Sequence, residues 1–342
     1  MHFPKFQTEV DIPEFPWKTG YQKTNVFLGS CFTENVGNRM AALKYDVDIN
    51  PFGILYNPVS VAHALEFLLQ KKHFTKDNLI QHGGLWHSFF HHGRFSSADA
   101  NQALENINAR IATSSKILKK ADFLFITFGT AWVYEYLPTR QTVSNCHKIP
   151  AKEFKRFRLT VDEISEKYEG IIQKIREVNP EIKIIFTVSP IRHWKDGAVE
   201  NQRSKATLLL AVDQIIKKTE NNNCGYFPAY EIVMDELRDY RFYSEDMIHL
   251  TDVAIKHIRE KFQSCLIDEK SKKTSEEVQK ITNAVNHKPF NKFTRENLLF
   301  LKQSLTKVQK LQKEKSYLNL VLEKNYFSEQ ISEIEKSSEY FK

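Results

Sequence analysis

The sequence predicts an α/β fold, a flavodoxin-like three-layer α/β/α sandwich of about five parallel strands with a C-terminal helical extension. Three observations predict it: short apolar runs bounded by breakers, helical patterns that alternate with these runs, and a change of character after about residue 268. Apolar runs without strict alternation are typical of parallel strands buried on both faces. Alternating strands and helices indicate βαβ units and a doubly wound sheet.

The elements of the α/β region follow one another in a regular order. Strands are predicted at residues 26–28, 123–128 and 182–188, because these runs are rich in β-branched and aromatic residues. Helices are predicted at residues 33–43, 58–70, 101–119, 161–178 and 204–218. Pro58 suits the first turn of its helix, where the missing N–H costs nothing. These elements place an α/β domain at residues 1–267.

Residues 268–342 are predicted to form a separate helical extension. Residues 268–274 are polar, and Thr274 with Glu277 resembles a capping box that opens a helix. Further along, an apolar stripe at helical spacing is expected to cover the main domain or, as an alternative, a partner subunit; it comprises Leu298, Leu301, Leu305 and Val308. The tail from Ser328 onward is expected to be frayed. We expect this region to serve stability or assembly and not chemistry.

Composition and charge exclude several function classes. The chain has 342 residues and a formal charge of +7, but its basic and acidic residues are interspersed, so we expect no nucleic-acid partner. No segment has the length of a membrane span or the pattern of a signal peptide, so we expect no membrane association. The four cysteines are irregularly spaced, which indicates free thiols and a cytoplasmic location. No Gly-rich phosphate loop follows a strand, and we expect neither a cofactor nor a metal.

Small, polar and aromatic residues follow the predicted strands, at the edge where sites form in such sheets. Gly29-Ser30-Cys31 ends the first strand, Gly129-Thr130-Ala131-Trp132 the next, and residues 189–193 the last. Far along the chain, Asp246 and His249 lie three residues apart before a helix. A nucleophile, a base and an orienting acid are the parts of an acyl-transfer site.

These segments also resemble a known family. Gly29-Ser30-Cys31-Phe32 looks like the motif that names the GSCFA family, a branch of the SGNH (GDSL-like) hydrolase superfamily. The segment from Asp246 to Thr251 is similar to the last block of that superfamily, in which Asp-x-x-His supplies two members of the triad. The resemblance spans roughly residues 1–265. It implies that His249 is the general base and that Asp246 orients it.

The nucleophile stays open between two residues. By register with Gly-Asp-Ser, Cys31 takes the nucleophile position and Ser30 that of the aspartate, whereas a shifted alignment makes Ser30 the nucleophile. A thiol at a helix N-terminus and near a histidine is expected to have a lowered pKa. The alternative without catalysis is that Ser30 caps the helix and Cys31 packs in the core.

The resemblance also implies an oxyanion hole, with one donor at the nucleophile and another at Gly53. The asparagine that the superfamily carries after its third strand is missing, and Thr130 or Asn145 is the expected substitute. Other residues are expected to contact substrate: Arg192 and His193 through a polar or anionic group, Trp132 and Tyr134 as an aromatic wall, and His147 next to Asn145. His87, His91 and His92 are expected to belong to a flexible loop that covers the substrate rather than to a metal site.

The sequence therefore predicts an esterase-like hydrolase or acyltransferase acting on a small-molecule or carbohydrate acyl ester. The missing asparagine leaves an alternative, a non-catalytic small-molecule or glycan-binding protein on a degenerate SGNH fold. The sequence makes no prediction about the oligomeric state.

Overall fold

The computed structural model describes residues 8–219 and 223–337. Its strands, in chain order, are β1 (Asn25–Gly29), β2 (Val47–Ile49), β3 (Ile80–His82), β4 (Leu85–His87), β5 (Phe123–Phe128), β6 (Trp132–Tyr136), β7 (Gln141–Val143), β8 (Phe154–Arg158), β9 (Lys183–Val188) and β10 (Cys224–Tyr226). Its α-helices are α1 (Cys31–Ala42), α2 (Pro58–Gln70), α3 (Ala100–Leu118), α4 (Val161–Val178), α5 (Gly197–Lys218), the single turn α6 (Ala229–Glu231), α7 (Asp252–Leu266), α8 (Glu269–Asn286), α9 (Arg295–Glu314) and α10 (Val321–Lys336).

The central sheet is parallel and has the strand order β10-β9-β5-β1-β2. In this register Gly29 of β1 lies opposite Thr127 of β5, and Phe128 of β5 lies opposite Val188 of β9. The carboxyl ends of these strands therefore meet at one edge of the sheet. The predicted α/β fold with a parallel sheet is confirmed.

Successive residues of the buried strands point to opposite faces, and helices cover both faces. Leu124 and Ile126 of β5 join a core that includes buried residues of α2, α3, α4 and α5. Phe125 of the same strand stacks on Phe27 of β1 and contacts Phe262 of α7. This alternation produces the three layers that the sequence predicts.

Two small antiparallel sheets, which the sequence analysis did not anticipate, are added to this sandwich. β3 pairs with β4, and β6 lies between β7 and β8. Trp132 at the start of β6 follows β5 by only a few residues, so this second sheet stands at the carboxyl edge of the parallel one.

The chain divides into two compact units, and each unit combines segments that are distant in sequence. The first unit comprises residues 1–19, 23–38 and 47–266, and the second comprises residues 20–22, 39–46 and 267–342. Within the second unit, Tyr21 stacks on Tyr45 with 4.1 Å between ring centroids. The predicted stripe on α9 is partly buried there, with Leu301 and Val308 in the core and Leu298 and Leu305 half-buried.

Two local predictions for the C-terminal region are wrong. The Asp268 carboxylate accepts a hydrogen bond from the N–H of Ser271 and caps α8, so the helix begins at Glu269 and not at Thr274 as predicted. Thr274 lies inside that helix, where its hydroxyl donates to the carbonyl of Lys270 instead of capping.

The segment predicted as frayed is helical as far as Lys336, because the buried side chains of Phe327, Ile331 and Ile334 anchor α10. Its last residues, 338–342, lie outside the described part.

Candidate active site

The turn from β1 into α1 requires a glycine. Gly29 has φ +141°, and a Cβ atom added there would lie 2.2 Å from the carbonyl oxygen of Thr127. The Gly29 N–H donates to Oδ1 of Asn50 at 2.9 Å, and its carbonyl accepts from Leu55. Strand pairing and the buried Asn50 therefore fix the direction in which Ser30 and Cys31 leave the sheet.

Cys31 is the first residue of α1, and the N–H groups of Cys31 and Phe32 act to lower the pKa of its thiol. Burial nevertheless raises the pKa of the Cys31 thiol, and these N–H groups together with Lys205 only oppose that effect. The expected lowering of the thiol pKa is therefore wrong. Desolvation exceeds the influence of the helix terminus.

Ser30 is almost completely buried, with 1% of its surface exposed. Its hydroxyl has no hydrogen-bond partner among residues 8–219 and 223–337. Ser30 therefore neither caps α1 through its side chain nor contacts a base in this structure.

Asp246 and His249 lie together on the loop that precedes α7. Oδ2 of Asp246 is 2.6 Å from Nδ1 of His249, while Oδ1 accepts the N–H groups of Ile248 and His249 at 2.9 Å each. These hydrogen bonds lower the pKa of Asp246 to about 2, the largest contribution being that of the His249 side chain. In the described part of the chain Nε2 of His249 has no hydrogen-bond partner, and about half of the side chain is exposed.

Two aromatic contacts link His249, through His193, to Tyr56. The His193 ring, just after β9, packs edge-on against His249 at 6.2 Å and against Tyr56 at 5.9 Å. Tyr56 in turn interacts electrostatically with Cys31. Within the described residues neither the Cys31 sulfur nor the Ser30 hydroxyl forms a hydrogen bond with His249.

A cavity of about 490 Å³ opens beside this row of residues. Tyr56 and His193 belong to its wall, and β6 contributes Trp132 and Tyr134. The Arg156 guanidinium of β8 stacks on Trp132 at 4.4 Å and is held by Asp196 at 2.5 Å. The wall includes further polar residues: Thr130, Ser144, Asn145, Lys195 and Asn201.

The expected oxyanion donors lie near this edge but are engaged in other hydrogen bonds. The Gly53 N–H donates to the carbonyl of Asn50 at 2.7 Å, and the Thr130 N–H donates to that of Tyr56 at 2.9 Å. The Thr130 hydroxyl is 3.1 Å from that of Ser204, and Oδ1 of Asn145 accepts the N–H of His147. Thr130 and Asn145 do line the cavity.

Two of the expected substrate-binding residues lie elsewhere. Arg192 donates to Asn201 and to the carbonyl of Ala198, and it lines a different cavity of about 310 Å³. His147 is buried, its Nε2 lies 2.8 Å from the carbonyl oxygen of Ser88, and its ring stacks on His87.

The histidines of residues 87–92 belong largely to the core, so the expectation of a flexible covering loop is wrong for them. His91 is buried between Phe52 and Phe74, and burial lowers its pKa to about 3. His87 is also buried, whereas His92 packs against Gly53 and lines the cavity.

In residues 8–219 and 223–337, no group of three or more His, Cys, Asp or Glu side chains could hold a metal ion.

Two features of the site were missed by the sequence analysis. Glu34 on α1 accepts hydrogen bonds from Asn50 and from Arg94, and Arg94 also donates to the Asn50 carbonyl, so these residues brace the turn after β1. The second is Lys205 on α5, a buried lysine that interacts electrostatically with Cys31. Neither residue stands in a motif, and only the tertiary fold brings them to the strand edge.

Fold and site together define the class: an α/β protein with a helix-terminal cysteine and an Asp–His pair in the unit built on its parallel sheet. The chain belongs to the GSCFA family, whose family model matches residues 25–262. A second model, described as GSCFA domain protein, C-terminal domain, matches residues 278–333. No curated protein matches the chain. Among the helices of the described residues, none is long and apolar enough to cross a membrane.

Proposed function

We propose that this protein is an SGNH-type hydrolase or acyltransferase that acts on acyl esters. The observation that carries the proposal is the Asp246–His249 pair, in which Nδ1 is fixed by the carboxylate and Nε2 is left open. A carboxylate in this position selects the tautomer that can accept a proton at Nε2. The pair contacts His193, which lines the cavity.

In the proposed reaction the Cys31 sulfur attacks the carbonyl carbon of the ester. The thiol gives its proton to Nε2 of His249 as the S–C bond forms, and His249 delivers that proton to the leaving oxygen as the C–O bond to the alcohol breaks. Water or an acceptor hydroxyl then attacks the thioester and passes its proton to His249. The C–S bond breaks, the acid or the new ester leaves, and His249 returns the proton to the sulfur. Hydrolysis and acyl transfer differ only in this second nucleophile.

Cys31 is favoured over Ser30 because of their different surroundings. Cys31 stands at the N-terminus of α1, where the N–H groups of Cys31 and Phe32 act to lower the pKa of its thiol and so favour a thiolate. Ser30 is buried and has no base beside its hydroxyl in the described part of the chain.

The cavity supports a small-molecule or carbohydrate ester as substrate. Its volume of about 490 Å³ lies in the range of small-ligand sites. Trp132 and Tyr134 offer aromatic surface, while Asn145, Lys195 and Asn201 offer hydrogen-bonding groups. We place the activity in a reducing compartment such as the cytoplasm, because Cys31, Cys146 and Cys224 are free thiols.

A second candidate is a non-catalytic binding protein that retains the cavity. It is favoured by the engaged N–H of Gly53 and by the missing hydrogen bond between Cys31 and His249 in the described residues.

Turnover of short-chain p-nitrophenyl esters separates the two candidates. The proposal expects hydrolysis by the full chain that falls at least a hundredfold in His249→Ala. The matched control is His73→Ala, which changes an exposed histidine after α2 and should leave the rate unchanged. Hydrolysis that survives His249→Ala contradicts the proposed mechanism, and ester binding without turnover by the full chain favours the binding protein.

A further inference from the structure

One face of the sheet formed by β6, β7 and β8 supplies the aromatic wall of the cavity. Trp132 and Tyr134 of β6 are two residues apart, so their side chains leave the sheet on the same face. Arg156 of β8 lies opposite Tyr134 in the antiparallel register. Cζ of its guanidinium is 4.4 Å from the ring centroid of Trp132 and 5.4 Å from that of Tyr134. A cation is therefore part of this wall.

A second cation reaches the same wall from the segment after β9. Nζ of Lys195 donates to the Tyr134 hydroxyl at 2.5 Å and lies 5.1 Å from the centroid of that ring. The Tyr134 ring thus has the guanidinium of Arg156 and the ammonium of Lys195 as neighbours. A phenol hydroxyl offers an acceptor but no negative charge at neutral pH, so it does not neutralise Lys195.

The charges of this wall do not cancel. Asp196 is its one carboxylate in the described part of the chain, and both oxygens bind Arg156: Oδ1 is 2.5 Å from Nη1, and Oδ2 accepts from Nη2 at 2.7 Å. Lys195 has no carboxylate within ion-pair distance among residues 8–219 and 223–337. His92 and His193 add no charge at neutral pH, because burial lowers the pKa of each imidazole. The charge of Lys195 is therefore left uncompensated in the cavity.

The loop after β7 adds a neutral donor to this wall. Val143 of β7 lies opposite Tyr134, and Asn145 follows two residues later. Oδ1 of Asn145 accepts the N–H of His147, whereas its Nδ2 group has no hydrogen-bond partner within the described ranges 8–219 and 223–337. The Lys195 ammonium keeps two further N–H groups beyond the one that it gives to Tyr134. Such donors suit the oxygens of an anion.

We propose that this part of the cavity binds an oxyanion, and that the substrate is an acyl ester that carries a carboxylate, phosphate or sulfate group. Lys195 supplies the charge, Asn145 supplies a neutral N–H, and the aromatic wall packs against the adjoining part of the molecule. A charge in a cleft with low-dielectric walls has a stronger field than one on an open surface. Arg192, which was expected to contact such a group, lines a different cavity. The ester part of this proposal rests on the proposed function, whereas the preference for an anion does not.

Binding of unreactive aromatic anions tests the proposal without any turnover. Benzoate, phenyl phosphate and phenyl sulfate are titrated into the full chain by isothermal titration calorimetry, with benzamide as the neutral counterpart of benzoate. We expect the preferred anion to bind at least tenfold more tightly than benzamide, and the three affinities identify which oxyanion the cavity prefers. The preference should weaken as NaCl is raised from about 0.02 M to about 0.5 M, because salt screens the ammonium.

Variants at position 195 identify the cation. Lys195→Met should lower the affinity for the preferred anion at least tenfold, and Lys195→Arg, which keeps the charge, should largely restore it. Lys152→Met is the matched control, because this exposed lysine lies outside the cavity wall and its loss should leave the affinity unchanged.

Three results overturn the proposal: no binding of any of the three anions, binding of benzamide as tight as that of the anions, or a preference that persists in Lys195→Met. None of these probes is an ester that the protein has to hydrolyse. Failure of anion binding and failure of the proposed function are therefore distinguishable.

Discussion

The Asp246 carboxylate accepts three hydrogen bonds, from the N–H groups of Ile248 and His249 and from Nδ1 of the His249 ring. Its pKa of about 2 lies below the ordinary value, so the ionised form is the stabilised one. A depressed carboxylate pKa means that the pairing is fully present above the ordinary value near 3.8 and is lost only as the pH falls through about 2. Asp246 is therefore charged throughout the range in which an esterase is assayed.

Asp246→Asn should lower kcat by about 10²–10⁴-fold, because the amide keeps the shape of the carboxylate but not its charge or its choice of tautomer. The loss should be the same at pH 5 and at pH 8, since the native carboxylate is ionised at both. Ester hydrolysis measured across this range checks the prediction. Asp239→Asn, which changes another exposed aspartate that accepts a backbone N–H, is the control. A pH-dependent loss would mean that Asp246 titrates during the assay.

For individual residues, the sequence could indicate which ones belong to the candidate site but not which contacts they form. Ser30, Cys31, Asp246 and His249 stand in recognisable segments because spacing along the chain carries that information. Lys205 lies inside an amphipathic helix, where a lysine ordinarily faces solvent, and only the packing of α5 on the sheet buries it. Whether the thiol pKa rises or falls likewise depends on burial, which no motif reports.

Among the elements, we expect the turn between β1 and α1 to tolerate little change. Gly29→Ala should destabilise the protein by about 3 kcal/mol or more, since the added methyl group meets the carbonyl of Thr127 and the positive φ is strained. Gly170→Ala is the control: this exposed glycine inside α4 has nothing near its Cβ position, and alanine there should stabilise by about 0.5–1 kcal/mol. Urea unfolding measures both. Equal effects would show that the turn is not constrained by strand pairing.

Helix α10 is expected to be anchored by one aromatic side chain. Phe327 is fully buried, so Phe327→Ala should cost about 3–5 kcal/mol through lost burial and the cavity it leaves. Leu322→Ala on the same helix changes a side chain that is 74% exposed and should stay within about 0.5 kcal/mol. Thermal unfolding of the two variants compares them directly. Similar costs at both positions would contradict the burial pattern of α10.

The elements that the sequence predicted are those with a strong local pattern. β5 and β9 are continuous apolar runs, and α4 has a regular apolar face with Thr160 and Glu163 as a capping box. The sheet formed by β6, β7 and β8 was missed because its strands are short, half-buried and rich in polar residues. Their pairing is decided by contacts between distant segments, and these leave little trace in local periodicity.

For the molecule as a whole, the two compact units do not follow the order of the chain. Residues 20–22 and 39–46 belong to the unit of α8, α9 and α10, although they precede most of the sheet. Tyr21 illustrates this, because its ring stacks on Tyr45 and also contacts Tyr317. A boundary near residue 268 follows from composition, but membership of these early segments depends on tertiary contacts alone.

Truncation of the chain after Leu266 should therefore destabilise the remaining protein. Tyr21, Leu43 and Tyr45 are buried in the second unit and would lose its helices, which exposes apolar surface. We expect aggregation on size-exclusion chromatography or a lower Tm than that of the full chain. A truncated protein that stays monomeric with an unchanged Tm would show that these side chains need no partners from residues 267–342.

The proposed reaction depends on a covalent intermediate at Cys31, and this intermediate can be trapped. The full chain is mixed with p-nitrophenyl acetate, quenched in acid within the first turnovers, and mapped by peptide mass spectrometry. We expect an acetyl group on Cys31 and none on Cys146, Cys224 or Cys265, together with loss of turnover in Cys31→Ala. An acetyl group on Ser30, or turnover that persists in Cys31→Ala, would show that Cys31 is not the nucleophile.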